Sequence, residues 1–416
     1  MPAQDFWRDF AARCWEKKGC SVATGFDFPG APSAEELFHL TLRACWQREP
    51  LGRPRVFFDG LGSADKRLWP TPEDRGFQHY EERVRRQNGD RPFLLVVNNL
   101  QAFDADRWDA VRRLLKPLFD EAGIPSWNVE LSVFVGTYPK TPFGVHRDTA
   151  SVMHFPVIGT KRIRTWPSTF VEQHPEIKNA VDYPDLLEGS ELLEAGPGGM
   201  LYWPSDSWHV GEGDGDLSVT WGVGCWHRPV REHVMRLAER LITQAMGHDE
   251  VMSDVTMSFE TKRSLQPADL PPLMQEVRRV MTDEVFAPAA IEQVAVVDWL
   301  KRRTAWGFTA VPLPLSGVSL SAEDVVREDE VFPILRARSG GRIWIAANGH
   351  AFSVSEHPVV DAMLDALATG EPFRVGALVE RFATSTVIDG HEWVAEPETI
   401  VDLLTTLCSL RGLLRE

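Results

Sequence analysis

Phe143-Gly-Val-His146-Arg-Asp148 is followed, 63 positions after its histidine, by His209 at the end of the stretch Gly199-Met-Leu-Tyr-Trp-Pro-Ser-Asp-Ser-Trp-His. In a β-strand, side chains two residues apart point to the same face, so His146 and Asp148 can share a face and a neighbouring strand can supply His209. Two imidazoles and one carboxylate occupy one face of an octahedral metal ion and leave the other open, a geometry typical of non-haem Fe(II). The two stretches therefore predict an Fe(II) site.

The sequence around these residues is rich in short β-prone runs. Between Trp127 and Trp226 the runs are separated by Gly, Pro and Asp turns, and they read VELSVFVGTY, SVMHFPVIG, RIRTWP, MLYWP and LSVTWGVGCW. Several short strands with such turns are typical of a β-barrel or a β-sandwich. We expect the metal ligands to lie inside this β-structure, with His146 and Asp148 on the strand that continues through SVMHFPVIG.

Two further polar residues are candidates for the same interior. Lys161 follows a Gly-Thr turn fifteen positions after His146, where a cation could bind a dicarboxylate. The alternative for Lys161 is a solvated lysine in an exposed hairpin. His154 lies eight positions after His146, an even offset that places it on the same face of a strand. For His154 the alternative is a hydrogen-bonded histidine of the core.

Composition and charge narrow the classes of function. The chain has 416 residues, 43% of them hydrophobic, and 60 acidic residues against 44 basic ones give a net charge of −16. Such an acidic chain repels phosphates, which argues against a nucleic-acid partner. No run approaches the roughly 18 apolar residues of a membrane span, and the N-terminal MPAQDFWRDF has neither a basic nor an apolar region, so we expect neither a membrane span nor an export signal. Five scattered cysteines without a C-x-x-C pair fit a reducing compartment, and we expect a cytoplasmic protein.

The pattern along the chain predicts three domains. Residues 1–230 join a mixed α and β opening, with a capping box at Ser33-Ala-Glu-Glu36, to the β-rich segment. Residues 231–312 have helical periodicity, and their apolar faces need a partner, for which a second copy of the chain is one candidate. Residues 313–416 begin with a linker-like segment and contain a hairpin signal at Asn348-Gly349 and three amphipathic helices, a pattern similar to a winged helix.

On the motifs HRD, GTKR and MLYWPSDSWH, in that order and at that spacing, the sequence resembles the JmjC-type, cupin-like Fe(II)- and 2-oxoglutarate-dependent oxygenases, above all their hydroxylase branch. The motifs support this resemblance over roughly residues 90–230. The order of domains is similar to that of the ribosomal-protein hydroxylases. The resemblance implies a mostly β catalytic core, a double-stranded β-helix or jelly roll with flanking helices, followed by an α-helical domain and a winged-helix-like α+β domain.

The resemblance also implies roles for individual residues. The two histidines and the aspartate would bind Fe(II), and Lys161 would bind the C5 carboxylate of 2-oxoglutarate, with O₂ as the other co-substrate. Thr220 would lie near 2-oxoglutarate. Some relatives carry a hydroxyl three residues before the first histidine, where this chain has Phe143. This contact would then be absent or come from elsewhere, with Tyr138 and Asn98 as the candidates. In the ribosomal-protein hydroxylases the helical part mediates dimerisation, which implies a homodimer.

The main hypothesis is a 2-oxoglutarate-dependent dioxygenase that hydroxylates an amino-acid side chain in a peptide or protein and releases succinate and CO₂. Three protein ligands leave three metal positions for a bidentate 2-oxo acid and O₂. Two alternatives stay open. One is a hydroxylase of a free amino acid or a small biosynthetic precursor peptide, and the other is a non-catalytic, cupin-like metal-binding regulatory protein.

Overall fold

The structure is a computed structural model that describes residues 3–22, 30–47, 51–63, 65–246, 266, 268, 270–383, 386–388, 391–393 and 395–416. The chain divides into two compact units. The first unit consists of Met1–His227 with Trp306–Leu313, and the second of Arg228–Ala305 with Pro314–Glu416. The division into three domains at 1–230, 231–312 and 313–416 stays a prediction.

The first unit is built on antiparallel strands with helices around them. Its α-helices are α1 Ala3–Arg13, α2 Ala34–Trp46, α3 Phe77–Asn88, α4 Ala105–Ala122 and α5 Ser168–Gln173. Its strands are β1 Cys20–Val22, β2 Arg55–Phe58, β3 Leu61–Ser63, β4 Phe93–Val97, β5 Asn128–Gly136, β6 Ala150–Ile158, β7 Lys161–Trp166, β8 Glu191–Ala195, β9 Met200–Trp203, β10 Trp208–Glu212 and β11 Ser218–Trp226. The predicted capping box starts α2, since the Ser33 hydroxyl accepts from the Glu36 N–H at 3.2 Å and the Glu36 carboxylate accepts from the Ser33 N–H at 2.8 Å.

Two antiparallel sheets form the core of this unit. The larger has the order β1-β9-β6-β11-β5-β4-β2-β3 and the smaller the order β10-β7-β8. Their inner faces pack together through Ile163 and Leu193 of the small sheet and Leu201 and Trp203 of the large one. The prediction of a mostly β core with flanking helices is confirmed for this unit.

The second unit is richer in helices. Its helices are α6 Val230–Met246, α7 Pro272–Arg279, α8 Pro288–Thr304, α9 Pro358–Leu367, α10 Val375–Ala383 and α11 Pro397–Ser409, and a π-helical turn spans Val280–Val285. Its strands are β12 Val325–Glu328, β13 Leu335–Ser339, β14 Arg342–Ala347, β15 His350–Ser355, β16 Phe373–Arg374, β17 Thr386–Ile388, β18 His391–Trp393 and β19 Leu413–Arg415.

Two sequence signals in the second unit have different outcomes. Asn348 and Gly349 join β14 to β15 with φ values of 52° and 82°, the left-handed geometry that a tight hairpin requires, so the hairpin prediction is confirmed. The segment expected to be a linker, in contrast, contains β12. Val326 and Glu328 of β12 are buried, and the strand pairs with β16 and β19. Residues of β12 pair with residues at least 47 positions later in β16 and at least 85 positions later in β19, which no local pattern reveals.

Candidate metal centre

His146, Asp148 and His209 meet in the first unit. One ligand atom of each lies within 4.8 Å of the others. Oδ2 of Asp148 is 3.8 Å from Nε2 of His146 and 3.9 Å from Nε2 of His209. Bonds from a metal to nitrogen or oxygen are about 2.1 Å long, so one ion between these atoms can reach all three.

The backbone brings the two histidines together in a way that differs from the expected strand. β6 begins only at Ala150, and His146 instead forms an isolated antiparallel bridge with His209. The two residues exchange both backbone hydrogen bonds, at 3.0 and 2.7 Å. Gly144, with φ of 65°, turns the chain just before this bridge, and a Cβ at this position would lie 2.6 Å from the carbonyl oxygen of Asn179. The expectation of a continuous strand through His146 and Asp148 is therefore wrong.

Backbone carbonyls fix the orientation of both imidazoles. Nδ1 of His146 lies 2.9 Å from the carbonyl oxygen of Gly144, and Nδ1 of His209 lies 3.1 Å from that of Ser207. A ring nitrogen that faces a carbonyl oxygen carries the proton, so Nε2 of each ring presents its lone pair toward Asp148. Burial and the neighbouring His146 lower the pKa of His209 to about 3, which keeps this imidazole neutral at neutral pH. Two neutral nitrogens and one carboxylate are a donor set that fits Fe(II).

A cavity of about 420 Å³ opens beside the three residues. Its other wall residues include Arg55, Asn98, Glu130, Ser132, Phe134, Thr141, Phe143, His154, Lys161, Trp203, Gly222, Gly224 and Trp226. The Trp203 ring lies 5.0 Å from that of His209, and the Phe143 ring lies 5.7 Å from that of His146, measured between centroids. The aromatic side chains limit access of bulk water to the candidate metal ligands.

Lys161 is a buried cation in this cavity. It is the first residue of β7 and only 2% exposed, and its Nζ donates a hydrogen bond to the Tyr138 hydroxyl. The ammonium lies 5.0 Å from the centroid of the Tyr138 ring and 5.8 Å from that of Phe134. Within the described part of the chain, Lys161 forms no salt bridge with a carboxylate. Because an uncompensated buried charge is costly, this environment favours an anionic ligand.

The arginines beside Lys161 differ from it in environment. Arg162 pairs with Glu194 and Asp214 at the surface, and Arg164 pairs with Glu212 at 2.7 Å. Strand alternation explains the contrast, since residues 162 and 164 point away from the face that carries Lys161. The alternative of a solvated lysine does not describe a side chain that is 2% exposed.

His154 is a buried residue of the cavity wall. It is 3% exposed, and neither ring nitrogen has a partner among the described residues. Its ring lies between those of Phe134 and Trp203, with both centroid distances at 4.9 Å. Burial, with Lys161 nearby, lowers the pKa of His154 well below its usual value. The described residues thus offer no support for the alternative of a hydrogen-bonded core histidine.

Of the other predicted site residues, Asn98 lines the cavity, whereas Tyr138 and Thr220 do not. Tyr138 reaches the site through Lys161. Thr220 on β11 is fully buried, and its hydroxyl has no partner among the described residues, but it lies outside the cavity wall. The sequence analysis missed Thr141, whose hydroxyl is in the wall and accepts the Gly211 N–H at 3.1 Å. It lies five residues before His146, not three, so motif spacing gave no signal.

Comparison with solved structures gives the fold a known counterpart. The crystal structure of the Escherichia coli ribosomal oxygenase YcfD matches with a TM-score of 0.51 and 17% sequence identity, over 99% of this chain and 98% of that chain. The chain shares the fold of this oxygenase. An X-ray structure of E. coli ycfD matches with a TM-score of 0.50, 18% identity and the same coverage. No family model and no curated protein sequence matches the chain.

The likeness to YcfD extends over nearly the whole length of both chains. At 17% and 18% identity it concerns the fold alone. Among the described helices, none combines the length and the apolar character that a membrane-spanning helix needs.

Proposed function

We propose that the chain is an Fe(II)- and 2-oxoglutarate-dependent oxygenase that hydroxylates an amino-acid side chain of a peptide or protein and releases succinate and CO₂. The observation that carries the proposal is the shared cavity of a His-Asp-His trio and a buried lysine that pairs with no carboxylate of the described chain. A metal ligand set and a cation in one cavity match the two ends of a 2-oxo dicarboxylate. The fold shared with a ribosomal oxygenase supports the same assignment.

The separation of the two ends fits a five-carbon diacid. A Cβ built on Gly211 would lie 3.2 Å from Nζ of Lys161. Gly211 follows His209 by two residues on β10, about 7 Å along a strand. 2-Oxoglutarate is long enough to bind Lys161 through its C5 carboxylate while its 2-oxo acid end reaches the metal. Bound Fe(II) would supply the activation of O₂ and of the 2-oxo acid.

The protein residues have separate tasks in this proposal. His146, Asp148 and His209 would hold the ion, and three protein ligands would leave other metal positions for the 2-oxo acid and O₂. Lys161 neutralises the distal carboxylate and sets its orientation, with Tyr138 fixing the ammonium through a hydrogen bond. The aromatic wall limits water at the reacting end, so that oxidation is directed to the substrate.

The test is succinate formation from 2-oxoglutarate by the full-length protein with Fe(II), ascorbate and O₂, measured with and without peptide extracts. We expect turnover in the parent protein that is lost in His146→Ala. An Arg162→Ala variant, changed on the same strand as Lys161 but at an outward position, is the control and should keep turnover. Turnover in His146→Ala at the level of the parent would refute the proposal. Bound Fe(II) without any succinate would favour the non-catalytic alternative.

The location of the added oxygen separates the substrate classes. Mass spectrometry of proteins, small peptides and free amino acids after incubation identifies which fraction gains one oxygen atom. A gain in proteins or peptides supports the main proposal. A gain confined to free amino acids would support the biosynthetic alternative instead.

We also propose that the chain forms a homodimer through α6, α7 and α8. Large apolar side chains on these helices are exposed in the single chain, among them Val230 at 77%, Val234 at 59%, Met246 at 60% and Trp299 at 55%. Burying such a surface is favourable by about 25 cal/mol per Å². Light scattering should give twice the chain mass of 46.8 kDa, and Val234→Glu should shift the protein toward the monomer. A monomeric parent protein would exclude the dimer.

Residues 313–416 are proposed to be a winged-helix-like domain. The order α9, β16, α10, β17, β18, α11, β19 with short antiparallel strands supports this, and the buried faces of the three helices share one core with Val326 and Ile345. A role in nucleic-acid binding is not part of the proposal, because the net charge of −16 opposes it. A mobility-shift titration with duplex DNA should give no complex at physiological salt.

A further inference from the structure

His154 lies between the two ends of the proposed co-substrate site. It is the fifth residue of β6, the strand that joins the segment of the metal ligands to the turn before Lys161. On one side its ring packs on Trp203, whose ring in turn lies 5.0 Å from that of His209. On the other side it packs on Phe134, whose ring is 5.8 Å from Nζ of Lys161. A diacid that reaches from the metal ligands to Lys161 therefore runs along the part of the wall that carries this imidazole.

The packing of the His154 ring does not explain why this residue is polar. Both ring nitrogens are buried, and neither has a hydrogen-bond partner among the described residues. The two rings against which it packs, those of Phe134 and Trp203, are aromatic, and an apolar side chain of similar volume would fill the same space. Burying an imidazole without hydrogen bonds is unfavourable, whereas a ligand that accepts the N–H offsets this cost.

Gly222 on the neighbouring strand provides the space for this imidazole. It pairs with His154 in the sheet, and a Cβ at this position would lie 2.7 Å from Cδ2 and 3.0 Å from Nε2 of the ring. The φ of Gly222 is not in the left-handed region, so the backbone conformation does not require a glycine here. Both residues belong to the cavity wall. The absence of a side chain at Gly222 is thus what allows an imidazole at position 154 of the wall.

The charge state of the imidazole suits an anionic ligand. Burial, with Lys161 and His209 nearby, lowers the pKa of His154 well below its usual value, so at neutral pH the ring carries one N–H and one lone pair. A neutral N–H can donate to a carboxylate without placing a second positive charge beside the buried ammonium of Lys161. A role as a fourth metal ligand is not supported, because His154 is not one of the three residues whose ligand atoms lie within 4.8 Å of one another.

We propose that His154 is a further binding residue for 2-oxoglutarate, and that its neutral imidazole donates a hydrogen bond to a carboxylate oxygen of the co-substrate. This inference rests on the proposed function and adds a residue to that same site. Lys161 contributes the charge that neutralises the distal carboxylate. The N–H of His154 contributes direction, since a hydrogen bond from a ring fixed between two aromatic side chains restricts the rotation of the diacid in the cavity.

The test removes the donor and then restores it. Calorimetry measures the affinity of the full-length, Mn(II)-loaded protein for 2-oxoglutarate without O₂. His154→Leu keeps a similar volume without a polar atom and should bind 2-oxoglutarate at least about tenfold more weakly, because a hydrogen bond to a charged acceptor is lost. His154→Asn and His154→Gln place an amide N–H near one or the other ring nitrogen, and at least one of them should bind within about threefold of the parent. The control is Met153→Leu, a buried residue on the opposite face of β6 and outside the cavity wall, which should keep the affinity.

Urea unfolding of the ligand-free protein separates a binding role from a structural one. The unfolding midpoint of His154→Leu should equal or exceed that of the parent, because the change removes buried polar atoms that have no partner among the described residues. Added 2-oxoglutarate should raise the midpoint of the parent more than that of His154→Leu.

Two results would overturn the inference while leaving the proposed function in place. One is an affinity of His154→Leu for 2-oxoglutarate within about twofold of the parent. The other is a lower unfolding midpoint in His154→Leu together with equal losses of affinity in all three His154 variants, which would show a role in the fold alone. If 2-oxoglutarate does not bind to the parent protein, the proposed function itself fails, and this inference fails with it.

Discussion

Replacing Lys161 by Met separates the affinity for 2-oxoglutarate from the stability of the fold. The ammonium is 2% exposed and makes one hydrogen bond, to Tyr138, without a carboxylate partner among the described residues. A hydrogen bond between charged groups contributes about 1.5–3 kcal/mol, so its loss should weaken 2-oxoglutarate binding about 10- to 150-fold. Met has nearly the same length and removes an uncompensated buried charge, so the free energy of unfolding of the ligand-free protein should be unchanged or higher.

Calorimetric titration of 2-oxoglutarate into the Mn(II)-loaded protein measures the affinity, and urea unfolding of the ligand-free protein measures the stability. Arg162→Met is the matched control, because it removes a cation from the next position of β7 whose partners lie at the surface. It should leave the affinity within about twofold of the parent. Unchanged 2-oxoglutarate affinity in Lys161→Met, or the same loss in both variants, would refute the assignment of Lys161.

Three other changes test parts of the site. Thr141→Val removes the acceptor of a buried backbone N–H and should lower the free energy of unfolding by about 1–3 kcal/mol in chemical denaturation, while Thr141→Ser should not. Gly222→Ala would place a Cβ 2.7 Å from the His154 ring, so it should lower the free energy of unfolding by about 1–3 kcal/mol and slow succinate formation. The control is Gly196→Ala, whose Cβ would have no atom of the described residues within 4 Å apart from its chain neighbours, and which should change neither the stability nor the rate. Burial lowers the pKa of His209 from 6.5 to about 3. Between pH 6.5 and about pH 3 the imidazole of His209 is therefore protonated in the unfolded chain but not in the folded one. The free energy of unfolding of the metal-free protein should consequently fall as the pH drops below 6.5. His209→Asn should reduce that slope by about 1.4 kcal/mol per pH unit, and equal slopes in urea titrations would contradict the assignment.

The sequence alone predicted which residues form the candidate site, but not the backbone geometry that brings them together. Residue type and spacing selected His146, Asp148 and His209, and all three converge. The bridge between the two histidines depends on a turn at Gly144 with positive φ, which cuts short the strand that alternation predicts. The residues after Gly144 continue into a β-prone run, so alternation alone predicted a strand there and did not predict the turn at Gly144.

Long-range register explains most of what the sequence could not supply. Glu130 and Ser132 of β5 line the cavity opposite Gly224 and Gly222 of β11, a strand more than eighty residues later in the chain. No local sequence pattern predicts this pairing. In the same way Phe308 belongs to the first unit because it bridges to Val129 across a chain separation that no periodicity records. The signal at Lys161, in contrast, is local: the Gly-Thr turn and the offset from His146 made this residue a candidate for the interior, and its side chain is buried.

The most direct test of the central claim is whether Fe(II) and 2-oxoglutarate bind together at the His-Asp-His trio. Under anaerobic conditions, chelation of Fe(II) by a 2-oxo acid gives a visible charge-transfer absorption that can be titrated. We predict saturation at one Fe(II) and one 2-oxoglutarate per chain in the parent protein and loss of the band in His209→Ala and Asp148→Ala. A band of the same intensity and affinity in those variants, or Fe(II) binding without any band in the parent, would contradict the account.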